Sequence, residues 1–144
     1  MEANARRIRY YREYNGENFS YEIKLKRQNI HYSIEFSQEG ELQDIEVLIN
    51  KSELPSVVLE AVKNHFQRIK LTRIQKHFSH TKDANPEYTL QAVFKNKLLP
   101  SAYELIVSGK TENGYRQFEL LIDKEGILLK KSIISTKDDE YVVY

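Results

Sequence analysis

The chain has 144 residues, with 22 Lys and Arg against 21 Asp and Glu, no cysteine, and a net charge of +1 spread along its length. Charge so evenly interspersed excludes a dedicated nucleic-acid surface, which draws its affinity from clustered cations against phosphate. The lack of cysteine excludes both a disulfide framework and a thiolate metal centre. The length suits one domain, which hides roughly two thirds of the surface of its unfolded chain, and no apolar run approaches the roughly 18 residues that a membrane helix requires.

The chain starts with Met1 to Arg7, MEANARR, which lacks the apolar segment of a secretory signal. That start fits a cytoplasmic protein if Met1 is native, and a periplasmic or secreted one if a signal has been removed. Arg6 to Tyr14 then reads as a strand that stops at Asn15-Gly16, a dipeptide suited to a tight hairpin turn. From Tyr21, the apolar Tyr21, Ile23 and Leu25 alternate with Glu22, Lys24 and Lys26. After a polar turn at Gln28-Asn29, the apolar Ile30, Tyr32, Ile34 and Phe36 alternate with His31, Ser33, Glu35 and Ser37. A period of two with one apolar face predicts half-buried antiparallel strands. Gln38 to Glu41 supplies a turn around Gly40, and Leu42 to Ile49 completes a meander.

A helix is expected over about 53–66. Ser52 is a suitable N-cap, Pro55 falls in the first turn, and Leu54, Val58, Ala61, Val62 and Phe66 form one apolar stripe. Such a helix lies on a sheet. Ile69 to Phe78 reads as the next strand, followed by a polar loop to Pro86 and a further strand in which Tyr88, Leu90, Ala92 and Phe94 alternate with their neighbours.

The pattern of the first meander then returns. Tyr103, Leu105 and Val107 stand where Tyr21, Ile23 and Leu25 stood, and Phe118, Leu120 and Ile122 answer Tyr32, Ile34 and Phe36. Glu125-Gly126 answers Glu39-Gly40, and the longer tip Gly109 to Gly114 absorbs an insertion. The fold class expected is α+β, a largely meander antiparallel sheet of two similar hairpin units, about 21–49 and 103–134, with one main helix on one face. The runs Ile127-Leu128-Leu129 and Ile133-Ile134 are apolar on both parities, which predicts a last strand buried on both sides or placed centrally. Residues 136–144 are expected to form a frayed tail or an added edge strand.

Chemistry-bearing motifs are few. His77, His80 and Asp83 are the nearest approach to a metal-ligand set, yet residues three apart on a strand point to opposite faces, so no metal site is expected. No glycine-rich phosphate loop or nucleophile elbow occurs, and no cofactor is expected. Carboxylate pairs fall in turns and tails, where nothing would desolvate them for acid catalysis. Ten tyrosines are present. Tyr11 shares its parity with Arg7, Arg9 and Glu13, and this composition suits either a recognition face or a charged edge strand that resists sheet-to-sheet pairing.

Tyr21 to Ile23, the turn Gln38 to Leu42, QEGEL, and Ser52 to Pro55, SELP, opening a helix before a strand near Ile69, together resemble the PepSY-like domains. These occur in exported proteins of Bacteroidetes and share a helix-on-sheet arrangement with the beta-lactamase-inhibitor-protein fold. The resemblance is clearest over Tyr21 to Phe78, with Tyr103 to Ile134 as a second half. The chain departs from the family at Phe66-Gln67-Arg68, where a Pro-Gly-like turn is common. The tandem form also has a helix before each sheet half, while only Met1 to Ala5 precedes the first half here. The resemblance implies an extracytoplasmic, non-catalytic domain that binds or inhibits proteins.

On this basis the chain is expected to be a protein-binding or inhibitory module, not an enzyme. Its contact surface would be the polar sheet face, with Arg9, Tyr11, Glu22, Lys24, Glu35, Glu104 and Glu119 as contact residues. The alternatives are a carrier of a small apolar ligand, with a pocket under Val58, Val62 and Phe66, and, more weakly, a metal-dependent enzyme using His77 and His80. Neither nucleic acid nor membrane insertion is expected; the oligomeric state is left open.

Overall fold

The computed structural model describes residues 5–14, 16–66 and 68–134, together with the backbone of 142–143. Their strands are β1 (Arg6–Tyr14), β2 (Phe19–Arg27), β3 (Ile30–Ser37), β4 (Leu42–Leu48), β5 (Ile69–Ser79), β6 (Ala102–Thr111), β7 (Gly114–Asp123), β8 (Leu128–Ile133) and β9 (Val142–Val143). The helices are α1 (Ser56–His65) and α2 (Pro86–Phe94). The chain divides into two compact units, the first drawn from within residues 5–47, 78–99 and 142–143, the second from 48–77 and 100–134.

In the first unit the strands run β4-β3-β2-β1-β9, each antiparallel to the next. The β2–β3 hairpin turns through Gln28 and Asn29, both at positive φ (52° and 63°), the backbone that a two-residue turn needs to match strand twist. The core gathers Tyr32, Ile34, Leu42, Ile45, Val47, Phe78 and Val93, with Leu25, Phe36, Leu90 and Phe94 packed against them. In the second unit the order is β5-β6-β7-β8, again antiparallel. There α1 lays Val58 and Val62 on Ile74, Leu105, Val107, Phe118, Leu120 and Ile122. The Phe66 ring sits directly on Gly109, where a Cβ would collide with it.

The two meanders share their register. Ile23 pairs with Ile34 and Leu25 with Tyr32, while Leu105 pairs with Leu120 and Val107 with Phe118. Their turns close through equivalent backbone hydrogen bonds: the Gly40 N–H donates to Ser37 O at 2.9 Å and the Gly126 N–H to Asp123 O at 3.0 Å. Both glycines are at positive φ, 83° and 90°, which explains glycine at each turn. A register shift adjoins each turn, between Glu35 and Phe36 and between Leu121 and Ile122.

Three expectations need correction. The segment Tyr88 to Phe94 is helical, not a strand. Asn85 caps it, its side-chain oxygen accepting from the Tyr88 N–H at 3.0 Å, and Pro86 occupies the first turn. Burial follows helical spacing, with Thr89, Ala92 and Val93 inside, while Tyr88, which the alternation placed inward, is 71% exposed. The helix packs Leu90, Val93 and Phe94 on the core of the first unit. The second correction concerns α1, which begins at Ser56 with Pro55 at the N-cap. Ser52 lies in a preceding 3-10 turn, Lys51–Glu53, where the Asn50 N–H donates to the Glu53 carboxylate at 3.0 Å. The third is the last strand, which is neither central nor doubly buried. β8 ends the ladder of its unit, with Leu129 55% and Ile133 68% exposed. Its Lys131 ammonium lies over the rings of Phe66 and Phe118, at 5.0 and 4.8 Å, so the stem covers what an apolar residue would otherwise cover.

Candidate interaction face

Alternation sends the apolar set of β2 and β3 toward α2 and leaves the intervening side chains on the opposite face of the first unit. Pairing register then sorts those polar residues into rows across the strands. One row runs Tyr11, Glu22, Glu35, Asp44, each the direct partner of the next. The adjacent row runs Arg9, Lys24, Ser33, Glu46. Five of the seven contact residues expected from the sequence, Arg9, Tyr11, Glu22, Lys24 and Glu35, therefore share one face. Lys24 links the rows: its ammonium lies 3.5 Å from Glu22 Oε1 and 5.1 Å from the centre of the Tyr11 ring.

The electrostatics of this face centre on Glu35. Burial pushes its carboxyl up to about 7, and the charges of Asp44, Glu13 and Glu22 push in the same direction, while a hydrogen bond from Ser20 acts against them. Like charges directly opposite on neighbouring strands are destabilising, and desolvation disfavours the ionised form further. Ser33, in the next row, is buried although it lies on the polar face. The arrangement suits a cationic or hydrogen-bond-donating group on a partner. Asp44 and Ser33 escape sequence reasoning: parity puts Ser33 on the polar face, but the register shift after Glu35 decides which residue of β4 stands opposite it.

In the second unit Glu104 is half-buried, pairs in register with Gln75 and Leu121, and has a carboxylate oxygen 4.0 Å from His77 Nδ1. Glu119 is exposed and stands opposite Ile106 and Ser132. The other histidine of the expected ligand set is engaged elsewhere: His80 Nδ1 lies 3.0 Å from the Thr89 hydroxyl, and Asp83 is exposed in the turn before α2. Beneath α1, where an apolar-ligand pocket was considered, Val58 and Val62 are fully buried against side chains of β6 and β7. Among the described residues no helix is long and apolar enough to cross a membrane.

No family model and no curated protein sequence matches the chain. Solved structures do match. A BLIP-like protein from Bacteroides fragilis superposes with a TM-score of 0.56 at 16% identity, over 95% of this chain and 81% of that one. A DUF2874 family protein from Bacteroides ovatus gives 0.61 at 14%, over 95% and 81%. A candidate periplasmic protein from Bacteroides eggerthii gives 0.59 at 11%, over 94% and 83%. At these identities the likeness concerns architecture, and the chain has the fold of the BLIP-like proteins of Bacteroides.

Proposed function

We propose that the chain is a non-catalytic, extracytoplasmic PepSY-like module that binds another protein, or inhibits it by binding. The contact surface is the polar face of the first unit, Arg9, Tyr11, Glu22, Lys24 and Glu35; Glu104 and Glu119 are separate candidate contacts on the second unit. The carrying observation is the half-buried Glu35 held in register between Glu22 and Asp44. Burying a carboxylate beside like charges costs the fold stability, and a group perturbed in this way marks a candidate site. The shared register and turn bonding of 21–49 and 103–134 support an internal hairpin repeat that supplies the scaffold, with the outer face free to vary. The likeness to BLIP-like and candidate periplasmic proteins supports the module and its location.

The test is site-specific photo-crosslinking in the native host, with the photoreactive residue at Glu35 or at Lys63 on the exposed side of α1. A discrete protein adduct from position 35 and none from 63 is expected. Equal adducts from both positions, or none from 35, would defeat the assignment of this face. Fractionation of the native protein checks the location, and recovery in the cytoplasmic fraction alone would refute export.

A further inference from the structure

We propose that His77 and Glu104 hold a divalent transition-metal ion of the zinc type on the outer face of the second unit. Strand alternation turns Ile74 of β5 and Tyr103 and Leu105 of β6 toward α1. Gln75, His77 and Glu104 therefore stand together on the other face. Register sets Glu104 directly opposite Gln75, and His77, two residues further along β5, is its diagonal neighbour, a spacing that long side chains bridge. Ala102, opposite His77, is too short to come between them. The spot is drawn in from water although it lies on the polar side of the sheet: the His77 and Glu104 side chains are 15% and 19% exposed, and Gln75 is 5% exposed.

His77 Nδ1 and a Glu104 carboxylate oxygen lie 4.0 Å apart. That is too long for a hydrogen bond, and it is close to the span of one ion. Zinc lies about 2.0–2.2 Å from nitrogen and carboxylate donors, so a tetrahedral ion shared by the two needs them about 3.3–3.5 Å apart, a closure of roughly half an ångström. Partial burial strengthens the attraction of the carboxylate for a cation, and the remaining exposure leaves room for water at the other positions of the ion. The donors also select the metal. An imidazole nitrogen with a carboxylate suits zinc and its transition-metal neighbours, whereas calcium and magnesium prefer oxygen throughout. Because the two ligands come from neighbouring strands, the ion clips β5 to β6, and an ion that binds the folded chain alone stabilises it. His80 and Asp83 lie nearer to His77 in the chain, but sheet register brings Glu104 to it.

The test is isothermal titration calorimetry of the metal-free full chain with zinc chloride, with magnesium and calcium chloride as comparisons. Saturable binding of one zinc ion per chain is expected, together with a zinc-dependent rise in the urea midpoint, and neither magnesium nor calcium matches it. Loss of a group that merely supports a ligand costs about 10–100-fold in affinity, so His77→Ala and Glu104→Gln should each weaken binding by at least about tenfold. His65→Ala, at the exposed end of α1, leaves it unchanged. Copper(II) added below one equivalent should broaden the imidazole NMR signals of His77 before those of His31, His65 and His80, a readout on the unsubstituted chain that decides the matter even if a variant disturbs folding. No saturable zinc binding, equal binding of zinc and calcium, wild-type affinity in either variant, or simultaneous broadening of all the histidines overturns the proposal. Crosslinking from position 35 reads a different surface, so either proposal can fail without the other.

Discussion

In the second unit Val58, Val62, Leu105, Val107, Leu120 and Ile122 have essentially no exposed surface; in the first, Ile45 alone among the described residues matches them. The units share a strand plan and differ in what the plan carries. Helix α1 seals the second core, and that unit's outer strands bring few charges together. The first unit leaves Tyr10, Tyr14 and Tyr21 open on one face and holds a row of carboxylates on the other. Burial of charge beside like charge and exposed aromatic surface both reduce stability, which is why the proposed contact surface is placed on the first unit, while the second has the more completely sealed interior.

The strongest challenge to this contrast is truncation of matched core positions. Ile122→Ala in the second unit, at the position that answers Phe36, is expected to cost about 3–4 kcal/mol, because it opens a cavity at a fully buried site. Phe36→Ala in the first removes a half-buried ring and should cost roughly 1–2 kcal/mol. Urea unfolding of both variants checks this, and equal losses would erase the distinction. Gly109→Ala comes next: the Phe66 ring must shift to admit the methyl, at about 1–3 kcal/mol, measured as a lower urea midpoint.

Glu35 gives a pH signature that belongs to the first unit. Its carboxyl titrates near 7 in the folded chain, above its ordinary 4.5. The native state therefore holds a proton that the unfolded state has released, so stability falls as pH rises from about 4.5 through about 7. Solvent screening of this partly exposed group limits the loss to about 1–2 kcal/mol. Glu35→Gln should remove that slope and leave the protein more stable than the wild type at about pH 8. Unfolding at about pH 5 and about pH 8 tests it, and an unchanged slope in the variant would show that Glu35 is not its source. The smallest effect is expected at Asn85→Ala, which removes the α2 cap for about 1 kcal/mol; hydrogen exchange of the α2 amides reads it directly.

Much of the strand plan was legible because side chains on a strand alternate strictly, so Tyr21, Ile23, Leu25 and Tyr32, Ile34, Phe36 declare their face without reference to the rest of the chain. Helix α2 was not, since Tyr88, Leu90, Ala92 and Phe94 satisfy a period of two while Thr89, Ala92 and Val93 satisfy helical spacing. In nine residues only the cap at Asn85-Pro86 separates the two readings. The polar face was half legible. Parity grouped Arg9, Tyr11, Glu22, Lys24 and Glu35, but nothing local could say that Asp44 would stand opposite Glu35.

Local alternation, the glycine turns at Gly40 and Gly126, and the apolar stripe of α1 were enough to specify α+β hairpins and the residues inside them, because each depends on neighbours a few positions away. The edge position of β8, the assignment of α2 to the first unit and the raised titration of Glu35 depend on strands far apart in the chain. Burial and like-charge repulsion are sums over everything that packs around a group, and those sums exist once the chain has folded.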